Sequence, residues 1–400
     1  MSTNPLSHLG SLLLILAIPF PTLAQSIEVS GQVRPRSEYR DPAVGATDAE
    51  FFTSLRTRLS ARYTGETAVS AFVQLQDVRF LGEEASTLGD FSADALDMHQ
   101  AWVQLGPDEA WVSVRAGRQE AAYGGERLVG AVGWAQQGRS FDGARVRVNP
   151  WAGARIDGLA FQLSESASAV QEFDAVFWGA YAVLDVGRAQ TLDLFVLHQQ
   201  NEIPDSETDQ WTSGLRWAGA RGGWAYRVEG AWQTGERLTQ DVDAYFVAAR
   251  LGRDFAEGRA GLTLWADYLS GSPPGNEEIG AFDTLFGTNH KFYGYADLFL
   301  DIPLNTGGRG LADLAVKGRW QVDDDWRADV ALHRFFVAED EGLDSGALAT
   351  ELDLVVTRSV FEGLQVSGGA AYVFADDALG PIRGIGEDVT FAYVMLDVVF

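Results

Sequence analysis

The chain ends with the sequence Thr390-Phe391-Ala392-Tyr393-Val394-Met395-Leu396-Asp397-Val398-Val399-Phe400. In an extended strand alternate residues point to the same side, so the even-numbered residues from Thr390 to Phe400 share one face. All of them except Thr390 are apolar. A soluble edge strand that exposed this face would invite aggregation, whereas the hydrocarbon of a membrane favours it. The terminal sequence therefore predicts a lipid-facing strand, and a closing aromatic residue is typical of bacterial outer-membrane β-barrels.

The first 24 residues predict a secretory signal peptide. Residues 9–18 form an apolar core, Pro19 and Pro21 follow, and Thr22-Leu23-Ala24 offers a small-residue cleavage site. The apolar core is shorter than the roughly 20 residues that a spanning helix needs. We expect cleavage after Ala24, a location in the bacterial outer membrane, and one barrel domain over residues 25–400.

Composition excludes several classes of protein. No later stretch is apolar enough for a spanning helix, so a membrane form would have to use strands. The chain has no cysteine, which excludes disulfides, thiolate metal sites and a cysteine nucleophile. A net charge of −26 disfavours nucleic acid as a partner. Lys291 and Lys317 are the only lysines, so the basic side chains are almost all arginines.

Period-two alternation, 12% aromatic residues and 44 glycines indicate β-structure through nearly all of the mature chain. Short turns alternate with longer loops, the longest at 271–309. This alternation, with an even strand number, predicts an all-β fold: a single transmembrane antiparallel barrel of about 18 strands, with short periplasmic turns, longer extracellular loops and an aqueous lumen. The predicted strands are 26–40, 52–63, 68–80, 96–105, 110–119, 139–149, 154–163, 173–186, 190–200, 208–218, 223–234, 241–254, 259–270, 310–322, 326–337, 348–359, 363–375 and 388–400.

Parity along the strands places many arginines on the inner face. In the second strand, Leu55 and Leu59 are predicted to face lipid, while Arg56 and Arg58 face the lumen. Later strands are mixed, since Arg227 shares its face with acidic residues. A guanidinium group can form two hydrogen bonds with one carboxylate, so a basic wall would attract organic anions or polyanions. Alternatively, these arginines brace the barrel through internal ion pairs. The predicted basic wall of the first six strands contains Arg34, Arg36, Arg56, Arg58, Arg62, Arg115, Arg145 and Arg147.

The most specific stretch of sequence lies within residues 117–145. It reads Gly117-Arg118-Gln119-Glu120, then Tyr123-Gly124-Gly125-Glu126-Arg127-Leu128-Val129-Gly130, then Trp134, then Gly138-Arg139-Ser140-Phe141-Asp142-Gly143. This pattern resembles the signature of the alginate export family of outer-membrane proteins. Supporting matches occur at 74–79, 99–103 and 290–297. The sequence Ser270-Gly271-Ser272 departs from the family's Ser-Gly-Asp and loses one acidic group.

The resemblance implies a monomeric eighteen-stranded barrel with an electropositive constriction through which an acidic polysaccharide leaves the cell. It also implies that Arg118, Arg127, Arg139 and Asp142 join the constriction, on or beside a loop that dips into the lumen. Because parity alone would not place Arg118 inside, this role requires a bulge at Gly117 or a position within the loop. The expected partners are this polysaccharide or its oligosaccharides, outer-membrane lipid, the assembly machinery that receives the C-terminal strand, and a periplasmic export partner.

Two transport functions follow from these observations. The first is a channel that passes an anionic, alginate-like polyuronate through an arginine-lined lumen. The alternative is a general or anion-preferring porin for small solutes such as oligouronates. An enzyme or adhesin is disfavoured, because the five histidines lack metal-ligand spacing and no Gly-x-Ser-x-Gly motif occurs. Glu351 and Asp353 stand about 7 Å apart along one strand, a spacing that glycosidase chemistry could use, but two acids on one strand face are far more often solvated lumenal residues. We expect no cofactor and no metal.

Overall fold

The computed structural model describes residues 26–42, 48–66, 68–82, 96–164 and 174–400. Within these ranges, eighteen antiparallel strands form one sheet that closes on itself, because the first strand pairs with both the second and the last. The predicted all-β barrel is thereby confirmed, whereas the predicted signal peptide lies outside the described residues. The strands are β1 (Ser26–Asp41), β2 (Glu50–Thr64), β3 (Val69–Phe80), β4 (Leu96–Leu105), β5 (Val112–Gln119), β6 (Phe141–Val148), β7 (Ala154–Ser164), β8 (Ala175–Gly187), β9 (Gln190–Asn201), β10 (Thr208–Arg221), β11 (Trp224–Arg237), β12 (Gln240–Phe255), β13 (Ala260–Leu269), β14 (Leu311–Gln321), β15 (Trp326–Phe336), β16 (Ala347–Phe361), β17 (Leu364–Ala375) and β18 (Val389–Val399).

The connections segregate by length as the sequence predicts, with one exception: the predicted loop at 235–240 is a two-residue extracellular turn, Leu238-Thr239, between β11 and β12. Tight turns join strands at the periplasmic end; between β10 and β11 the turn consists of Gly222 and Gly223, both with positive φ, as a type I′ hairpin requires. Among the described residues there are two short α-helices, α1 (Ile302–Asn305) and α2 (Leu379–Arg383), and both lie in extracellular connections. The other helical segments are short 3₁₀ turns. No helix in the described part of the chain is long and apolar enough to cross a membrane.

The barrel closes where β1 meets β18. The backbone N–H of Phe400 donates to Gly31 O at 3.0 Å, and Gly31 N–H donates to Phe400 O at 2.7 Å. The aromatic ring of Phe400 lies over Gly31 so closely that a Cβ there would stand 2.4 Å from Cζ. Phe400 therefore forms a rung of the closing ladder, and Gly31, which has no side chain, makes room for its ring.

The two faces of the strands follow the predicted parity. Ile27, Val29 and Leu59 are exposed on the outside, whereas Arg34 and Arg56 are buried on the inside. Tryptophans near strand ends, including Trp111, Trp151 and Trp320, are also exposed. An apolar outer band flanked by aromatic side chains suits the hydrocarbon and the interfaces of a bilayer.

Two long connections fold into the lumen. We call residues 120–140, between β5 and β6, the first inner loop, and residues 270–310, between β13 and β14, the second inner loop. Their backbones pair: Phe286 N–H donates to Leu128 O and Gly130 N–H to Phe286 O, both at 2.9 Å. The strand number predicts an aqueous lumen. The structure differs, because side chains of the two loops fill part of the lumen. The apolar core that they form with the strands includes Val129, Phe246, Phe282, Phe292, Phe299, Ile302, Phe335 and Phe391.

Candidate functional site

The arginines of β1 and β2 hold the first inner loop against the wall. Arg34 donates through Nε to Gln136 Oε1 at 3.0 Å and through Nη1 to Gly133 O at 2.8 Å. Arg56 donates to Ala135 O at 3.3 Å and to Gln32 Oε1 at 2.8 Å. Both guanidinium groups are buried. Their acceptors are neutral, so these bonds do not compensate the positive charge, and the loop covers both groups.

A stack of side chains connects this wall to both loops. Arg36 lies 4.0 Å from the ring centroid of Trp134 in the first inner loop. The Trp134 ring in turn stacks on His290 of the second inner loop at 4.3 Å, nearly parallel. Arg36 also donates to Glu38 at 2.7 Å and to Trp134 O at 2.6 Å. This cation–aromatic arrangement fixes the two loops relative to β1.

Both ends of the first inner loop are tied to His99 on β4. His99 Nε2 lies 2.7 Å from Glu120 Oε1, and the hydroxyl of Ser140 donates to His99 O at 2.6 Å. Arg58 lies 3.5 Å from the same carboxylate. Burial raises the pKa of Glu120, but the hydrogen bond with His99 and the charge of Arg58 outweigh it and hold that pKa below the ordinary 4.5. Arg58 is thus engaged in anchoring the loop.

Arg127 and Arg139 lie within or at the end of the first inner loop. Arg127 is buried, 2.9 Å from Asp267 on β13, and it donates to the hydroxyl of Tyr293 at 2.6 Å. Burial acts against its charge, but Asp267, Tyr293 and Glu229 outweigh burial and raise the pKa of Arg127. Arg139 donates to Phe286 O. Both arginines therefore join the two loops.

A second group of arginines lies nearer the periplasmic end and converges on Asp108. Arg145 Nη2 is 2.7 Å, Arg147 Nη1 is 3.2 Å and Arg115 Nη2 is 3.9 Å from its carboxylate oxygens. Arg147 also forms two hydrogen bonds with Asp157, at 2.7 and 2.8 Å. The structure brings these three arginines together on neighbouring strands.

Arg62 lies beside Arg115 of this group, over the same Trp102 ring, and has no ion pair among the described residues. Its side chain is exposed, and its guanidinium lies 5.2 Å from the ring centroid of Phe72 and 5.3 Å from that of Trp102. Aromatic neighbours hold the guanidinium in place without neutralising it, so Arg62 presents its charge to the lumen.

Arg118 and Asp142 lie elsewhere. They form a bidentate ion pair, both bonds at 2.8 Å, but Gln119 and Phe141 beside them are buried on the inner side, so alternation places the pair on the outward side. The pairing of β4 with β5 and of β5 with β6 runs through Gly117 without a register shift. The bulge that the resemblance required is absent there, so the strand register does not support a place for this pair in the constriction, although Arg118 borders a pocket with Gln137 and Gly138 of the first inner loop.

Further inward-facing arginines were missed by the sequence reasoning. They are Arg155 on β7, Arg216 on β10 and Arg250 on β12, and none of these strands has the alternating arginines that mark β1, β2 and β6. The barrel register places Arg227 directly opposite Arg250. Arg227 also lies two residues along β11 from Glu229, which pairs with Arg216. Parity alone could have placed each inside; their proximity follows only from the strand pairing.

A closed barrel with inward-folded loops and charged groups along its lumen defines an outer-membrane channel. The model of the alginate export family matches residues 25–342, and the chain belongs to that family. The resemblance inferred from residues 117–145 is thereby confirmed, as is the location in the bacterial outer membrane. No curated protein matches the chain in sequence.

Several solved structures share this fold. Pseudomonas aeruginosa OpdO is 14% identical, with 94% of this chain and 97% of that chain covered and a TM-score of 0.65. Acinetobacter baumannii OccAB4 is 10% identical, with 93% and 98% covered and a TM-score of 0.65. Pseudomonas aeruginosa OpdK, solved with vanillate, is 14% identical, with 93% and 98% covered and a TM-score of 0.58. At this identity the likeness concerns the fold.

Proposed function

We propose that this channel passes an anionic, alginate-like polysaccharide along the arginines of its lumen. The observation that carries the proposal is a difference in exposure within the ion pairs of the inner wall. The side chains of Asp157, Asp193 and Glu229 are 0%, 5% and 3% exposed. Their partners Arg155, Arg216 and Arg227 are 41%, 19% and 19% exposed. Arg147, which also pairs with Asp157, is 10% exposed. At these positions on β7 and β9–β11 the guanidinium groups are more exposed to the lumen than the carboxylates with which they pair, whereas at Asp108 the carboxylate is the more exposed partner.

This arrangement favours anions for a physical reason. A guanidinium at the mouth of a low-dielectric lumen attracts an anion more strongly than it would in open water. A carboxylate bound there exchanges one arginine for the next at little cost, since several are available along β5–β7 and β10–β12. Conduction requires such weak and repeated binding. The net charge of −26 opposes it little along β7 and β9–β11, because Asp157, Asp193 and Glu229 are buried there.

A second candidate function is an anion-preferring porin for small carboxylates. The packed core of the two inner loops favours it, because that core narrows the space available to a chain of sugars. OpdK, which has the same fold, was solved with vanillate, a small carboxylate. Oligouronates would fit either function.

Reversal potentials in a KCl gradient across a planar bilayer test the shared claim of anion preference. We expect the wild type to prefer chloride and the Arg62→Ala, Arg155→Ala double variant to lose part of that preference. Neither residue holds the inner loops, unlike Arg56 and Arg58. A current without ion preference in the wild type would refute both functions. Block by a long polyuronate added at the periplasmic side supports the polysaccharide channel; block by short uronates alone supports the porin.

We also propose the partners expected from this function. The apolar outer band is in contact with outer-membrane lipid, and the strand that ends at Phe400 is recognised by the assembly machinery. A periplasmic export partner delivers the polymer to the short-turn end. We propose that the protein acts as a monomer, because one chain closes the whole barrel.

A further inference from the structure

A cleft indents the wall at the periplasmic end of β9–β13. Its volume is about 440 Å³, within the range of roughly 300–1,000 Å³ found for small-molecule sites. Small residues, among them Ala218, Ala225 and Gly252, form its surface, and they leave room that longer side chains would fill. This cleft lies apart from the arginines that converge on Asp108, and no sequence motif pointed to it.

Three guanidinium groups border the cleft, those of Arg216, Arg227 and Arg250. Arg227 makes no hydrogen bond to any residue in the described part of the chain; the nearest carboxylate oxygen, Glu229 Oε2, is 3.8 Å from its Nε. Arg216 has one acceptor, Asp193 Oδ2, at 3.2 Å. Arg227 and Arg216 therefore retain donors for a ligand. Arg250 differs, since both of its terminal nitrogens donate to Asp267.

The remaining lining suits the rest of a sugar ring. Thr191 and Thr263 offer hydroxyl groups that can donate to or accept from sugar hydroxyls. Trp265 borders the cleft, and its ring is held by the guanidinium of Arg250 at 3.7 Å and by Lys317 Nζ at 4.0 Å. A ring fixed in this way gives the cleft a rigid side. Basic groups, hydroxyls and a fixed aromatic side together match a sugar that carries a carboxylate.

We propose that this cleft is a subsite for one uronate residue of the transported chain. The carboxylate binds Arg227 and Arg216, and the sugar hydroxyls bind the two threonines. This inference rests on the proposed passage of an anionic saccharide and adds to it a fixed first binding position at the periplasmic mouth. A uniformly basic wall would have no defined binding position for the polymer, whereas this cleft would bind one uronate residue at a fixed position.

The test uses the full-length protein in detergent, with trigalacturonate as the probe and isothermal titration as the readout. We expect saturable binding that weakens at least tenfold in Arg227→Ala and in Arg216→Ala. Ala218→Leu should weaken binding similarly, because it fills the cleft while all arginines remain. Arg221→Ala is the matched control: it removes one exposed positive charge at the end of β10 and should bind the probe as the wild type does. The methyl ester of the probe should bind at least tenfold more weakly.

The outcomes separate the subsite from the proposed function. Equal binding by the wild type, Arg227→Ala and Ala218→Leu would overturn the subsite, and so would an absence of binding by the wild type. In either case an anion-selective current would still uphold the channel. If the wild type shows neither binding nor anion preference, both proposals fail. Heat-dependent migration of each variant on gels verifies that its barrel has folded.

Discussion

The hydroxyl of Tyr293 accepts a hydrogen bond from Arg127 Nη1 at 2.6 Å, and this bond joins the second inner loop to the first. The same guanidinium lies 3.7 Å from the ring centroid of Phe292 and 2.9 Å from Asp267 Oδ2 on β13. One buried charge thus links two loops and the wall. Because the loop backbones also pair, the loops form a single inner unit whose position depends on Arg127.

Replacing Arg127 with Met should loosen this inner unit. The change removes a positive charge next to the buried carboxylates of Asp267 and Glu229. Breaking a buried ion pair in this way costs about 3–5 kcal/mol. We expect a lower unfolding temperature in detergent and a larger, noisier single-channel conductance. Tyr293→Phe is the control, since it removes one hydroxyl and costs about 1 kcal/mol. An Arg127→Met channel with wild-type conductance would show that other contacts position the loops.

Asp108 partly neutralises the three arginines that converge on it. Asp108→Asn removes the negative charge and keeps the shape, so anion preference in a KCl gradient should increase. The stability cost should stay within about 1 kcal/mol, because the Asp108 side chain is 36% exposed. Glu109→Gln makes the same charge change at the exposed neighbouring residue and should have a smaller effect. Equal shifts in both variants would attribute the effect to net charge rather than to this cluster.

The outward-facing pair of Arg118 and Asp142 should not influence ion selectivity. The double variant Arg118→Gln, Asp142→Asn removes both charges and leaves the net charge unchanged. Its reversal potential should equal that of the wild type, and its stability should fall by no more than about 1 kcal/mol, as for exposed pairs. A changed reversal potential would indicate that this pair lies on the conduction path.

The strands were predictable because each obeys a rule that acts locally. Alternation in β2, for instance, assigns Leu59 to lipid and Arg56 to the lumen without knowledge of any other strand, and the structure has them so. The turns were predictable to within a residue or two, since glycine and short polar stretches mark them. Even the closing pair of β1 and β18 follows from the strand number.

What Arg34, Arg127 and Arg227 contact was not predictable in this way. Parity placed Arg34 inside, yet only the fold of the first inner loop shows that Gly133 and Gln136 cover it. Loop conformation depends on tertiary contacts between distant segments, such as Phe286 with Leu128, and these leave no periodic trace in the sequence. The arginine pattern therefore indicated a basic lumen but could not distinguish arginines that anchor a loop from those that face open space.

Acidification should weaken the anchor of the first inner loop at Glu120. Because the folded-state pKa of Glu120 is below the ordinary 4.5, its contribution to stability is complete above pH 4.5 and is lost as the pH falls through the lower, folded value. We expect wild-type conductance noise to rise in that acidic range. Glu120→Gln should already be noisy at pH 7 and change less on acidification. Parallel responses of the two proteins would assign the pH effect to other groups.

Deleting Phe400 should impair assembly more than stability. The deletion removes the two hydrogen bonds between Phe400 and Gly31, which are worth about 1 kcal/mol each. An eighteen-stranded barrel can lose these two bonds without unfolding. If the assembly machinery recognises the terminal aromatic residue, the amount of folded protein in the outer membrane should drop several-fold more than this small cost explains. Heat-dependent migration of membrane fractions measures that amount, and refolding of the purified variant into detergent measures stability separately. Phe400→Tyr keeps the aromatic ring and the backbone bonds and should assemble normally. If the deletion lowers refolding yield and membrane level equally, then Phe400 acts through closure of the barrel rather than through recognition.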